Sequence, residues 1–102
     1  LEKVETLIRS SEENGRQLHP RFGFRAGQVV WAVREEMALH VEDVLSRRIR
    51  ALFLDARAAR EMARPVAEIM ARELGRPEDW IESETRRFQS LCDGYMLQRE
   101  RI

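Results

Sequence analysis

The sequence is short of the residues that most enzymes use to make and break bonds. One cysteine, Cys92, and two histidines, His19 and His40, occur in 102 residues. Neither a disulfide framework nor a Cys/His zinc site can be built from them. So sparse a use of cysteine fits a reducing, cytoplasmic compartment. Charge of one sign is lacking too: 18 basic residues balance 18 acidic ones, which argues against broad electrostatic binding to nucleic acid. No apolar run approaches the ~18 residues that cross a bilayer. No leader is visible, because Leu1 is followed at once by Glu2 and Lys3. A start at leucine rather than methionine leads us to expect a piece of a longer protein. The 5 glycines are scattered, and the stretch from Gly23 to Gly27 matches neither a dinucleotide nor a Walker fingerprint. No Gly-x-Ser-x-Gly elbow is present. A βαβ-based nucleotide domain would use nearly the whole chain by itself.

What remains is a helical vocabulary. Proline is rarer still than glycine, with 3 in the chain, and Ala, Leu, Arg, Glu and Met dominate. No stretch alternates long enough to make a convincing strand. Leu1, Val4 and Leu7/Ile8 predict a short first helix, ended by Ser10, Ser11, Asn14 and Gly15. A loop follows over Leu18–Phe24, with Phe22 and Phe24 anchoring it on the core. Ala26, Val30, Val33 and Met37 line one face of a helix over about 26–37. A second helix over about 41–50 carries Glu42 and Asp43 in its first turn and Arg47, Arg48 and Arg50 in its last, an order suited to the helix dipole; Asp43 and Arg47 form an i,i+4 pair. The apolar run Ala51–Leu54 is too short to classify. Asp55 is an N-cap candidate. Beyond it Ala59, Met62, Val66, Ile69/Met70 and Leu74 keep helical spacing, with a kink or break expected just before Pro65. Gly75 suits a helix end and Pro77 the first position of a last helix. In that helix Ile81, Thr85, Phe88, Cys92 and Tyr95 form a stripe. The expected fold class is all-α: a single compact helical domain of four to six helices.

Candidate chemistry is thin. The histidines have no evident nucleophile nearby in sequence and read as structural or solvent-exposed. Cys92, on an apolar stripe, reads as a small core hydrophobe. The run Arg47-Arg48-Ile49-Arg50 could bind an anion, but Glu35, Glu36, Glu42 and Asp43 lie close enough in sequence to cancel most of its charge, which favours internal pairing. A helix-turn-helix reading of the junction at Gly75 fails because the second helix opens with Glu78, Asp79 and Glu82, which would repel phosphate.

One stretch carries more. From Leu18 the chain reads LHPRFGF, then QVVWAVREEMALHVEDVLSRRIRALFLDARAA, then VAEIMARELG. Val30, Trp31, Ala32, Arg34, Glu36, Met37, Ala38, Glu42, Asp43, Val44, Leu45, Arg47, Arg48, Arg50, Phe53, Leu54, Asp55 and Ala56 follow a pattern that resembles the C-terminal helical domain of FAD-dependent, respiratory glycerol-3-phosphate dehydrogenase. His40 and Ile49 depart from it, each standing where that family usually has threonine. The resemblance spans about Leu18 to Tyr95.

The resemblance implies a parent enzyme that oxidises sn-glycerol 3-phosphate to dihydroxyacetone phosphate with FAD and passes electrons to quinone. The flavin and substrate residues would lie in N-terminal domains, so no catalytic, cofactor-binding or metal residue is assigned here. It implies residues 1–17 as an N-terminal helix and loop, 18–97 as the helical cap domain and 98–102 as a frayed tail. It also gives Glu36, Glu42, Asp43, Arg47, Arg48, Arg50 and Asp55 a shared part in a structural or docking charge network. The partners it implies are the N-terminal FAD and substrate domains of the same chain; a homodimer through the same face is the other arrangement considered. Nucleic acid is not expected. Membrane contact is expected only through the parent, peripheral on the cytoplasmic face. The alternative is a stand-alone helical module binding an acidic partner or nucleic acid through Arg47, Arg48 and Arg50.

Overall fold

The computed structural model of the chain describes residues 2–20, 22–48 and 55–100. Its longest elements begin and end where local chemistry dictates. Helix α3, Ala56–Leu74, starts at Asp55, whose Oδ1 accepts the Ala58 N–H at 3.1 Å and so satisfies one of the first turn's free donors. It stops at Gly75, where φ is 70°, a conformation that glycine adopts without the Cβ penalty of other residues. The Arg76 N–H closes the end on the Ala71 carbonyl at 2.8 Å. The Pro77 carbonyl then accepts the first bonds of helix α4, Glu78–Glu100, from Trp80 and Ile81. Glu78 and Asp79 occupy its positive end.

Helix α3 is the centre of the fold. Ala58, Ala59, Met62, Ala63, Val66, Ala67, Ile69, Met70 and Ala71 are all buried, which covers more than one face. It packs against α4 as an antiparallel neighbour and against helix α2, Ala26–Glu36. The alanines let the backbones approach closely, while Met62, Val66 and Met70 fill the space with Phe88 and Cys92 of α4. The expected break at Pro65 does not occur: α3 runs through it as one 19-residue helix. Proline inside a helix costs about 3 kcal/mol or more. Burial of Met62, Val66, Ile69 and Met70 on both sides of it outweighs that cost, at ~1.5–3 kcal/mol for each large side chain.

The amino-terminal third contains a feature that the sequence did not reveal. Residues predicted as a loop pair as an antiparallel hairpin, β1 (Gln17–His19) with β2 (Phe22–Arg25), so the domain is mostly α rather than purely helical. Strands of three and four residues, joined at a proline, are too short to show alternation. The Gln17 side chain steadies the turn by donating to the carbonyls of Phe22 and His19. Phe22 and Phe24 stack at 5.2 Å and pack on the core as expected. Helix α1, Glu2–Arg9, crosses α2 at Gly27, where a Cβ would lie 2.9 Å from Cγ1 of Ile8. Gln28 caps α2 by accepting the Arg25 N–H at 2.7 Å.

The second expected helix is present in altered form. After a short helical start, Asp43–Arg48 adopt a π-helical segment. Val44 and Leu45 are fully buried on it, as is Val41 just before it. The wider winding of a π turn is rare and is frequently found at functional sites. Ile49, Arg50 and the run Ala51–Leu54 lie outside the described residues.

Candidate functional site

The predicted charge network centres on the connection between α2 and the π segment, and its acids divide by task. Asp43 turns back on its own helix: Oδ2 accepts the N–H groups of Leu39 at 3.0 Å and His40 at 3.1 Å. This is the acid half of a capping box. Asp55 caps α3, as described. Glu36 is half-buried at the end of α2, and Glu42 is exposed. The backbones of Arg47 and Arg48 lie on the π segment, and Arg50 lies outside the described residues.

A residue that sequence reasoning passed over completes this junction. Glu84 of α4 is 5% exposed. Its Oε1 accepts the N–H of buried Val41 at 2.9 Å, and its Oε2 lies 3.1 Å from Nδ1 of His40. Glu84 thus satisfies a free donor in the short helical start before the π segment, across 43 residues of sequence. A carboxylate from another element therefore takes the place of a local cap at this helix start. Acids at helical spacing read as a solvated face, so only the tertiary fold exposes this role. Among the described residues, Thr85 Oγ1 and Ser46 Oγ are buried without a hydrogen-bond partner.

Longer-range ion pairs fix the remaining faces. Arg34 meets Glu73 at 2.6 Å, Arg60 meets Asp93 at 2.8 Å and Arg64 meets Glu78 at 2.7 Å; Arg72 pairs with Glu13. The partner carboxylates raise the pKa of Arg34, Arg60 and Arg64, chiefly through their hydrogen bonds. These are surface pairs, which solvent screens, so they contribute little to stability.

Chemically reactive groups are engaged in packing. His19 is wedged between the Phe22 ring and the Glu61 carboxylate, 2.5 Å from its Nε2. Cys92 is buried in the core, and burial pushes its thiol up to about 12, so it stays protonated and unreactive. Among the described residues no group of His, Cys, Asp or Glu could hold a metal ion. Among the same residues no helix is long and apolar enough to cross a membrane. A cleft of about 490 Å³ opens between α1, the hairpin and α2, lined by Ile8, Arg25, Gln28, Trp31 and Glu36 among others. None of these forms a nucleophile–base pair.

The family described as the C-terminal domain of alpha-glycerophosphate oxidase matches residues 1–81. A Caenorhabditis elegans protein named as a probable glycerol-3-phosphate dehydrogenase, mitochondrial, is 39% identical over 72 residues. That stretch is 71% of this chain and 9% of the relative, so the chain spans a small part of the protein it matches. No solved structure matches it significantly. The match ends four residues into α4, yet Glu84, Phe88 and Cys92 beyond it complete the core. This chain belongs to the family of the C-terminal domain of alpha-glycerophosphate oxidase.

Proposed function

We propose that this chain is the non-catalytic helical cap of a flavoprotein that oxidises sn-glycerol 3-phosphate to dihydroxyacetone phosphate and passes the electrons to quinone. The observation that carries the reading is the family match over residues 1–81, joined to a site whose acids serve as helix caps rather than as acid–base groups. The described residues contain no glycine-rich strand-to-helix turn. Strand β2 enters α2 through Arg25 and Ala26, with Gly27 spent on the contact with Ile8. They therefore do not fit FAD, and we assign the flavin to the remainder of the parent chain.

In this reading the cap docks on the flavin and substrate domains of the same polypeptide. We propose for Glu36, Glu42, Asp43, Arg47, Arg48, Arg50 and Asp55 a shared part in a structural or docking charge network. The parent is peripheral on the cytoplasmic face of its membrane.

The test compares three preparations: the parent chain, the parent lacking this domain, and this domain alone. The domain alone should show no flavin absorption and no glycerol-3-phosphate oxidation. The shortened parent should keep its flavin but lose thermal stability and turnover. Flavin or turnover in the domain alone, or a shortened parent indistinguishable from the intact one, would overturn the reading.

A further inference from the structure

The end of α2 breaks three local rules at one point. Met37 sits in the left-handed region, at φ 61° and ψ 31°, the one described residue other than glycine with positive φ. Glycine or asparagine occupies that conformation at lower cost. Met37 is 81% exposed, and Leu39, two residues on, is 54% exposed, so two large apolar residues close in sequence face water. Glu35 and Glu36 occupy the last turn of α2, the negative end of the helix dipole, where acids are disfavoured. Sequences that satisfy local rules elsewhere break them where function requires it.

The tip is also held rigidly. Ala38, between the two exposed side chains, is buried. Its N–H donates to the Ala32 carbonyl at 3.0 Å. Asp43 holds the N–H groups of Leu39 and His40, and Glu84 holds Val41. The apolar pair is therefore displayed from a fixed support, as an interface anchor is. Glu35 and Glu42 are exposed on either side of it in sequence and give it an acidic border.

We propose that Met37 and Leu39 are the anchor by which this domain docks on the flavoprotein body of its parent, entering an apolar pocket with a basic rim. This rests on the docking role proposed above and adds the contact that performs it. The charge of the border decides the chemistry of the occupant, since a partner rim of the same sign would be repelled.

The experiment uses the full parent chain with Met37→Gly and Leu39→Ser together, and the 102-residue chain with Met37→Gly alone. In the 102-residue chain Met37→Gly should leave the melting temperature unchanged or raise it, because glycine relieves the left-handed strain. In the full chain the double variant should split one cooperative melting transition into two. It should also speed proteolysis between body and cap by roughly tenfold, the change one anchor typically governs. A double variant that still melts as one unit, with unchanged proteolysis, overturns the anchor while leaving docking intact. An unaltered full chain that already melts as two independent units overturns docking and anchor together. If Met37→Gly instead abolishes self-association of the 102-residue chain in sedimentation, the tip serves a second copy and the proposal is wrong.

Discussion

Glu84→Ala tests the buried junction between α4 and the π segment. The substitution removes both acceptors of a side chain that is 5% exposed. The Val41 N–H, now 2.9 Å from Oε1, is left inside the protein without a partner, because Val41 is fully buried. An unsatisfied buried donor costs about 1–3 kcal/mol. The contact to His40 adds less, since that side chain is 50% exposed and exposed pairs are worth about 0–1 kcal/mol. The sum is about 1–4 kcal/mol, at ~4–8 °C of melting temperature per kcal/mol for a domain of this size. Glu84→Gln keeps one carbonyl oxygen for Val41 and should lose less than about 1 kcal/mol. Urea unfolding followed by circular dichroism gives both values. A Glu84→Ala loss below about 0.5 kcal/mol, or equal losses for the two variants, would refute the assignment.

Three further outcomes follow from the same structure. Thr85→Val should raise stability by about 1 kcal/mol in urea unfolding, because it replaces a buried hydroxyl that has no partner with a methyl group of similar shape; a loss would mean that the hydroxyl is satisfied. Asp55→Ala should cost about 1 kcal/mol through the lost cap on Ala58, read by thermal melting. Cys92 should resist a thiol-specific reagent in the folded domain and react once denatured. Its folded thiol ionises only at about 12, whereas the unfolded thiol ionises near 8.5. Stability is therefore independent of this group below that value and falls as pH rises from there toward 12. A folded thiol that reacts as fast as the denatured one would contradict its burial.

The helices were legible because their signals are local. Periodicity marked α2, α3 and α4, Asp55 marked a start, Gly75 marked an end, and the stripe through Phe88 and Cys92 marked a core face. The hairpin was not legible, since Gln17–Arg25 holds two strands too short for a period to show. Pro65 misled because the cost of one lost hydrogen bond is visible in sequence and the burial that exceeds it is not. The ion pairs of Arg34, Arg60 and Arg72 join residues 33–59 positions apart, beyond the reach of i,i+4 reasoning. Glu84 escaped for the same reason: its partner is a backbone N–H on another element, which has no signature in the chain.

Size-exclusion chromatography of this domain mixed with its separately prepared flavoprotein body, followed by flavin absorption, tests the central claim most directly. The domain alone should elute without flavin absorption, and the mixture should carry it into the flavin-bearing peak. Separate elution of domain and body, or flavin held by the domain itself, would contradict the account.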